Sequence, residues 1–450
     1  MGPLARLIAR FRENPSLVLG AGLAFGLQVS GIGLSYLAQV LLARWLGATA
    51  YGQYNYAVIW ASLLAVFATL GFPTVVLRFA PEYIVKKNWA LFSGLFRASN
   101  GLSLLAGLWI AGVFWLGVRL AAPRLGLDPA LPGVLERGAW LIPLLALLSL
   151  NEEFFKSFRR VGFAYFPHAV LRPLVLLGGS YLLYKATGGL DAQSTLLVLY
   201  AAIVFALSVH AWGLWRLLPR PALRTPPAYD FAAWWEVALP LLLMSAFLLL
   251  LKHTDVLLIG LFLDTKNVGI YNAAAKTATL VGFVLIAVSA VVAPRISALY
   301  AEGRLFELQR LLHYAAHATF WPSLAIGGAL ILGGRAVLGF FGEEFVAAYS
   351  ALVFLVLGQL ANAAAGPVVY LLNLTGHQRE SLRVYGYSAL LNGILNAAAI
   401  PSWGIEGAAI ATMASMMVWN LWLHRLAARR LGLCSSIVAA LKGSCGTASH

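Results

Sequence analysis

Four charged side chains stand deep inside stretches that are otherwise apolar: Arg172, Lys252, Asp255 and Lys276. A Lys, Arg or Asp at the centre of a membrane helix costs roughly 2.5 to 3.5 kcal/mol on insertion scales, so each needs a partner, water or a ligand. Lys252 and Asp255 are one helical turn apart, and Lys276 sits at a similar depth in the next apolar run. Arg172 shares a helix face with Tyr165 and His168. One chemistry open to this set is a buried ion pair, Asp255 with Lys252 or Lys276, that fixes helix packing. The other is anion recognition. With one pair formed, a Lys and Arg172 are still left over, and such an excess of cation suits phosphate or pyrophosphate. Asp255 would then be free to take up H⁺ or Na⁺ as a coupling-ion site.

Uncharged polar residues run in stripes through the same stretches. Gln28, Ser35 and Gln39 mark the first apolar run, Asn55, Ser62 and Thr69 the second, Asn272, Lys276 and Thr279 the eighth, and Tyr385, Ser388, Asn392 and Asn396 the eleventh. Taken singly, such residues serve as interhelical hydrogen-bond glue worth about 0.6 kcal/mol each. Taken together, they point to a wet central cavity, because a polar stripe in lipid must face protein or water. His210 and His317 each stand alone near run ends and read as packed or interfacial. Glu152 and Glu153, beside Lys156, Arg159 and Arg160, read as a solvated helix terminus rather than an acid/base pair. The pair Gly22 and Gly26 permits close helix contact but is a weak signal. Arg78 and Arg295 end equivalent runs, as topological anchors or as gate and headgroup contacts. Neither a catalytic group nor a metal site is expected.

The elements that must position these residues follow from composition. The 450 residues are 61% hydrophobic and 11% charged, with a mean hydropathy of +0.81, too apolar for any water-soluble core. Runs of about 20 apolar residues suit helices that cross roughly 30 Å of hydrocarbon, and the alternating segments of a barrel are missing. The expected class is all-α, with twelve spans near 17–42, 52–76, 98–118, 138–155, 163–184, 194–215, 237–261, 270–293, 312–334, 347–371, 384–401 and 404–424. Of 32 Lys and Arg, 22 then fall in alternate loops and tails and 7 on the opposite side, which places both termini in the cytoplasm. The +15 charge is strung along short loops, so anionic membrane lipids are the expected partner and nucleic acid is not. Two cysteines, Cys434 and Cys445, offer no disulfide framework. Residues 3–12 are expected at the membrane surface as a retained N-terminus.

A duplication organises the chain. At an offset of 217, ten of the 38 positions from Leu46 to Tyr83 are identical in the second half, among them Gly52, Tyr54, Asn55, Arg78 and Tyr83 against Gly269, Tyr271, Asn272, Arg295 and Tyr300. The copies differ where charge sits: Ala38 and Ile59 stand at the positions of Asp255 and Lys276. Four prolines in Leu217 to Asp230 exclude a continuous helix and mark a cytoplasmic linker. The expected domains are an N-terminal six-helix lobe (1–216), the linker (217–230), a C-terminal six-helix lobe (231–427) and a cytoplasmic tail (428–450). The two lobes are expected to be pseudo-symmetric about a central cavity.

Several function classes drop out. The chain has no Gly-x-x-x-x-Gly-Lys-Ser/Thr loop for nucleotide phosphates, and its outer loops are too short for a catalytic module. It also lacks the filter segment or ring of like charges that a channel uses. A secondary transporter is left.

The run Leu42-Ala43-Arg44-Trp45-Leu46-Gly47, then Tyr51-Gly52-Gln53-Tyr54, Leu70-Gly71-Phe72 and Arg78, resembles the opening of the bacterial polysaccharide transporters. His253-Thr254-Asp255 through Gly260, Val268 through Lys276, and Pro294-Arg295 resemble their seventh and eighth spans. These are the oligosaccharide flippases of O-antigen (Wzx) type, within the multidrug/oligosaccharidyl-lipid/polysaccharide exporter superfamily. The resemblance implies alternating access by two six-helix lobes. It also implies an undecaprenyl pyrophosphate-linked oligosaccharide as cargo, moved from the cytoplasmic to the outer leaflet of the bacterial inner membrane. On that expectation Arg172 with Lys252 or Lys276 holds the pyrophosphate, while Asn272, Asn392, Asn396 and Tyr385 face sugar hydroxyls. Asp255 binds the coupling ion, Na⁺ or H⁺, and no other cofactor is expected. The protein would act as a monomer beside polysaccharide polymerase machinery. The alternative is a cation-coupled multidrug exporter of the same superfamily.

Overall fold

The computed structural model describes residues 15–125 and 128–442, with side chains described over 26–123 and 128–442. Residues 3–12 and Cys445 lie outside the described residues. All regular structure among the described residues is helical, as long apolar runs require: in lipid each backbone N–H must find its carbonyl within its own segment.

Helix α1 (Pro15–Ala68) is 54 residues long and leaves helical geometry at Gly47, with φ 73 and ψ 171. A straight helix of that length would measure about 81 Å, more than twice the hydrocarbon thickness. The break at a residue without a Cβ lets one helical run supply the first two expected spans. α2 (Phe72–Val85) follows a second interruption, where Leu70 and Gly71 both take positive φ. α3 (Trp89–Leu125) comes next, and then α4 (Leu131–Ala139) and α5 (Leu141–Ser157), bent 41° from each other. α6 (Val161–Phe166) passes through a π turn, Pro167–Leu171, into α7 (Arg172–Thr187). α8 (Ala192–Leu217) starts from a capping box between Asp191 and Ser194.

The proline-bearing linker holds only the short α9 (Arg220–Arg224), with extended backbone at Leu218, Pro219 and Thr225. Beyond it come α10 (Phe231–Phe262), α11 (Thr265–Ala301), α12 (Leu305–Gly339) and a 3₁₀ turn, Glu343–Ala348. α13 (Tyr349–Ala365) and α14 (Val368–Leu374) flank a break at Gly366 and Pro367. α15 (Gln378–Leu431) repeats the device of α1, with its break at Gly404, and α16 (Ile437–Lys442) ends the described chain.

Eight described helices are long and apolar enough to cross a membrane, nine with the bent pair α4 and α5, against twelve expected runs. The difference has two physical sources. α1 carries two expected spans in one run. α15 carries two more but is not among the eight, its apolar residues diluted by Asn392, Asn396, Asn420 and Glu406. The chain is a multi-pass all-α membrane protein.

Two compact units divide it. One comprises residues up to Leu46 with Ala57–Ser245, and the other Gly47–Tyr56 with Ala246 onward. In the first, Phe72, Phe92, Phe154, Phe155 and Trp234 are fully buried in one cluster, and the Trp234 indole N–H donates to the Tyr83 hydroxyl at 3.1 Å. In the second, the buried cluster gathers Leu251, Leu312, Leu371, Tyr385 and Leu423 with Leu433 from the tail. Cys434 beside it is buried.

Candidate functional site

The C-terminal unit assembles its site from the α10/α11 hairpin. Asp264 ends the connection and caps α11, accepting from the backbone N–H of Asn267 at 2.7 Å. Asp255 precedes this turn by nine residues and Tyr271 follows it by seven, so antiparallel helices bring the two face to face. The Tyr271 hydroxyl donates to Asp255 Oδ2 at 2.6 Å. Thr412, two turns below the Gly404 break in α15, donates to the same oxygen at 3.5 Å, and the Val256 N–H donates to Oδ1 at 2.8 Å. Asp255 is 5% exposed and, among the described residues, forms no ion pair. The expected Asp255 to Lys252 or Asp255 to Lys276 pair is therefore replaced by neutral donors.

A cavity of about 390 Å³ opens beside this carboxylate, entirely within the C-terminal unit. Its polar wall is Lys252, Asp255, Thr279, Gln359, Asn362 and Thr412, and its aromatic wall is Tyr370, Tyr385 and Trp419. The Gly366–Pro367 break also faces it. Lys252, an exposed side chain on this wall, forms no ion pair among the described residues.

Of the residues singled out by sequence, Lys252, Asp255 and Tyr385 come together here. Lys276 is half-buried on α11 and is not part of this wall. Asn272 is buried and donates to the Tyr51 hydroxyl at 3.5 Å. Asn392 and Asn396 lie in the packed seam between the two halves of α15. Asn392 donates to Ser415 at 3.2 Å and Asn396 to the Asn392 carbonyl at 2.9 Å, while their Oδ1 atoms have no partner among the described residues.

Arg172 belongs to the N-terminal unit, where Pro167 and Pro173 bracket it. Its N–H reaches back five residues to the Pro167 carbonyl, the bond that defines the π turn. Arg78 lies exposed over the Phe79 ring, 5.1 Å from its centroid, and Arg295 is half-buried on α11.

Sequence reasoning missed Gln359, Asn362, Thr412 and Trp419. Gln359 and Asn362 share the i, i+3 signal of one helix face, but they are the only polar side chains in the apolar stretch 351–365 of α13. Glu152 and Glu153 also sit differently from expectation. Both pair with Lys156, at 2.9 and 2.8 Å, and the three side chains are only 17–20% exposed. Lys156 also lies over the Tyr165 ring, 4.8 Å from its centroid, so the group is drawn into the bundle rather than solvated.

The duplicated segments meet inside the C-terminal unit. A Cβ on Gly52 would stand 1.7 Å from the Thr265 carbonyl oxygen, and one on Gly269 would stand 2.1 Å from that of Ala48. Ala48 and Thr265 are themselves equivalent positions, so the contact is reciprocal.

Comparison with known proteins extends this picture. A family profile described as polysaccharide biosynthesis protein matches residues 17–126 and 168–300, and one described as MatE matches 240–398. The probable low-salt glycan biosynthesis flippase Agl15 of Haloferax volcanii is 27% identical over 259 residues, covering 57% of this chain and 52% of the relative. The probable flippase AglR of the same organism is 31% identical over 173 residues, covering 37% and 36%. The chain thus spans about half the length of the first relative and about a third of the second.

Among solved structures, the lipid II flippase MurJ in an inward closed conformation superposes with a TM-score of 0.71 at 16% identity, covering 91% of this chain and 87% of that one. An inward-facing multidrug resistance MATE family transporter of the MOP superfamily gives 0.69 at 16% identity, covering 95% and 96%. At that identity these likenesses speak to the fold.

Proposed function

The chain belongs to the polysaccharide biosynthesis protein family, and from that premise we propose that it is a secondary transporter that flips a lipid pyrophosphate-linked oligosaccharide between leaflets. In a bacterial host the carrier is undecaprenyl, the membrane is the cytoplasmic one, both termini are cytoplasmic and the movement is outward. The observation that carries this reading is that Lys252, which forms no ion pair among the described residues, lines a cavity whose carboxylate is already held by Tyr271 and Thr412. A cation with no internal partner in a partly apolar chamber favours an anionic ligand, and a pyrophosphate supplies one. Arg172 is the second cation of this reading. Agl15 and AglR carry glycan flippase names, which accords with it.

Asp255 serves as the coupling-ion site. Thr412 and Ser415 lie on one face of α15, the first bonded to Asp255 and the second to Asn392, whose Oδ1, like that of Asn396, is an acceptor without a partner among the described residues. Buried oxygens of this kind are the ligands that Na⁺ or a proton relay uses. The protein works as a monomer among anionic lipids, adjacent to polymerase machinery.

The test is flipping of a fluorescent lipid pyrophosphate-linked oligosaccharide in vesicles that hold the purified protein. Lys252→Gln combined with Arg172→Gln should abolish it while membrane insertion persists; full activity of this double variant would overturn the reading. The second reading, a cation-coupled multidrug exporter, draws on the MatE match over 240–398, which contains Asp255. It requires organic cations to compete for transport, and the flippase reading requires that they do not.

A further inference from the structure

The cavity of the C-terminal unit also has a neutral polar and aromatic wall. Gln359, Asn362, Tyr370, Tyr385 and Trp419 all line it, and among the described residues none of their side-chain donors or acceptors has a hydrogen-bond partner in the protein. Asp255 on the same wall is fully provided for by Tyr271, Thr412 and Val256. One chamber therefore holds a hydrogen-bonded carboxylate beside five neutral polar side chains that face the cavity without a hydrogen bond to the protein among the described residues.

The placement of Gln359 depends on a glycine. A Cβ on Gly282 of α11 would come within 2.6 Å of Gln359 Oε1, so the amide lies in the space that this glycine leaves open. Asn362, three residues on, presents a second amide on the same face of α13. Each amide offers two N–H donors and a carbonyl acceptor, and each tyrosine offers a hydroxyl that both gives and takes. Trp419 adds a broad apolar face with one N–H at its edge. Neutral amides and hydroxyls around an aromatic face are complementary to a ring that carries hydroxyls on its rim and C–H bonds on its faces. At about 390 Å³ the cavity is near the lower end of the usual range for small-molecule sites, roughly 300–1,000 Å³. It has room for one or two sugar rings and not for a whole oligosaccharide.

We infer that this cavity is a sugar-reading pocket, in which Gln359 and Asn362 bond the hydroxyls of one or two cargo rings and Trp419 stacks on a ring face. The inference rests on the flippase reading and adds to it the place where glycan specificity resides. A site built to bond a hydroxyl discriminates strongly against a ligand that lacks it, because its own polar groups are then left unpaired in the bound state.

The experiment compares two probes in vesicles containing the full chain: a polyprenyl pyrophosphate carrying one sugar, from a panel of hexoses and N-acetylhexosamines, and the bare polyprenyl pyrophosphate. The wild type is expected to flip its preferred sugar-bearing probe at least tenfold faster than the bare carrier. In the double variant Gln359→Met with Asn362→Leu, that ratio should fall to within about twofold of unity. Gly282→Ala approaches the pocket from the opposite helix by displacing the Gln359 amide, and it should also lower the ratio, so the test survives a double variant that fails to insert. Trp419→Phe should retain more of the ratio than Trp419→Ala. A ratio unchanged in both the double variant and Gly282→Ala would overturn the pocket, as would a wild type that flips both probes equally. A wild type that flips neither probe would overturn the flippase reading itself, a different and separable failure.

Discussion

Tyr271 donates its hydroxyl to the Asp255 carboxylate at 2.6 Å, and this bond ties the duplicated Gly-x-Tyr-Asn segment to the charge that the other half of the chain lacks. Both halves carry the tyrosine, as Tyr54 and Tyr271, yet Ala38 stands where the second half has Asp255. In the second copy the scaffold tyrosine has a carboxylate partner, Asp255.

Removing that donor should be costly. A hydrogen bond to a charged group contributes about 1.5 to 3 kcal/mol, and a buried carboxylate deprived of it keeps its desolvation penalty. Tyr271→Phe is expected to destabilise the protein by roughly that amount in denaturant unfolding in detergent, while Tyr54→Phe has a smaller effect. Equal losses for the two would show that the pairing with Asp255 is not what stabilises Tyr271.

The reciprocal glycine crossing should tolerate no side chain. Gly52→Ala or Gly269→Ala places a Cβ about 2 Å from a backbone carbonyl oxygen, where neither element has a flexible end to yield. Overpacking of this kind costs about 1 to 3 kcal/mol or more. Both substitutions should sharply reduce the yield of folded protein, measured by size-exclusion chromatography in detergent. Gly101→Ala on α3 meets nothing within 4 Å and serves as the control; it should be neutral or stabilise by about 0.5 to 1 kcal/mol through its helix preference.

The chain after α15 is tied to α12 through Gln309. Gln309 on α12 donates to the Cys434 carbonyl at 2.7 Å and accepts the Cys434 N–H at 2.9 Å, while Ser435 donates to the Ala365 carbonyl at 2.8 Å beside the break that faces the cavity. Gln309→Ala should raise hydrogen–deuterium exchange at the Cys434 amide about tenfold, in line with the loss of one or two bonds worth about 1 kcal/mol each. No change in exchange would show that packing of Leu433 and Ile437 alone seats the segment.

The Glu152, Glu153 and Lys156 group predicts a rescue. Lys156→Gln leaves two carboxylates at 17–18% exposure without their cation. The expected loss is roughly 1 to 3 kcal/mol, less than for a fully buried pair because the group keeps some solvent. Adding Glu152→Gln and Glu153→Gln to Lys156→Gln should restore most of it in the same unfolding measurement. If the triple variant is no more stable than Lys156→Gln, the charges do not act as a unit.

What the amino-acid sequence determined by itself is the part of the protein set by one-dimensional patterns. Apolar runs of membrane-crossing length dictate helices, because lipid offers the backbone no other hydrogen-bond partners. Motifs such as Leu42 to Gly47 and Val268 to Lys276 carry the family.

Tertiary structure alone decided which polar groups share a chamber. Whether Asp255 meets Lys276 or Tyr271 depends on the rotation of α10 against α11, and helical spacing along one chain does not encode that angle. Gln359 takes its place from the space left by Gly282 on another helix. The side of a helix that faces a cavity is set by packing between elements far apart in the chain, so the residues of the site became visible as a group only once those elements were in place.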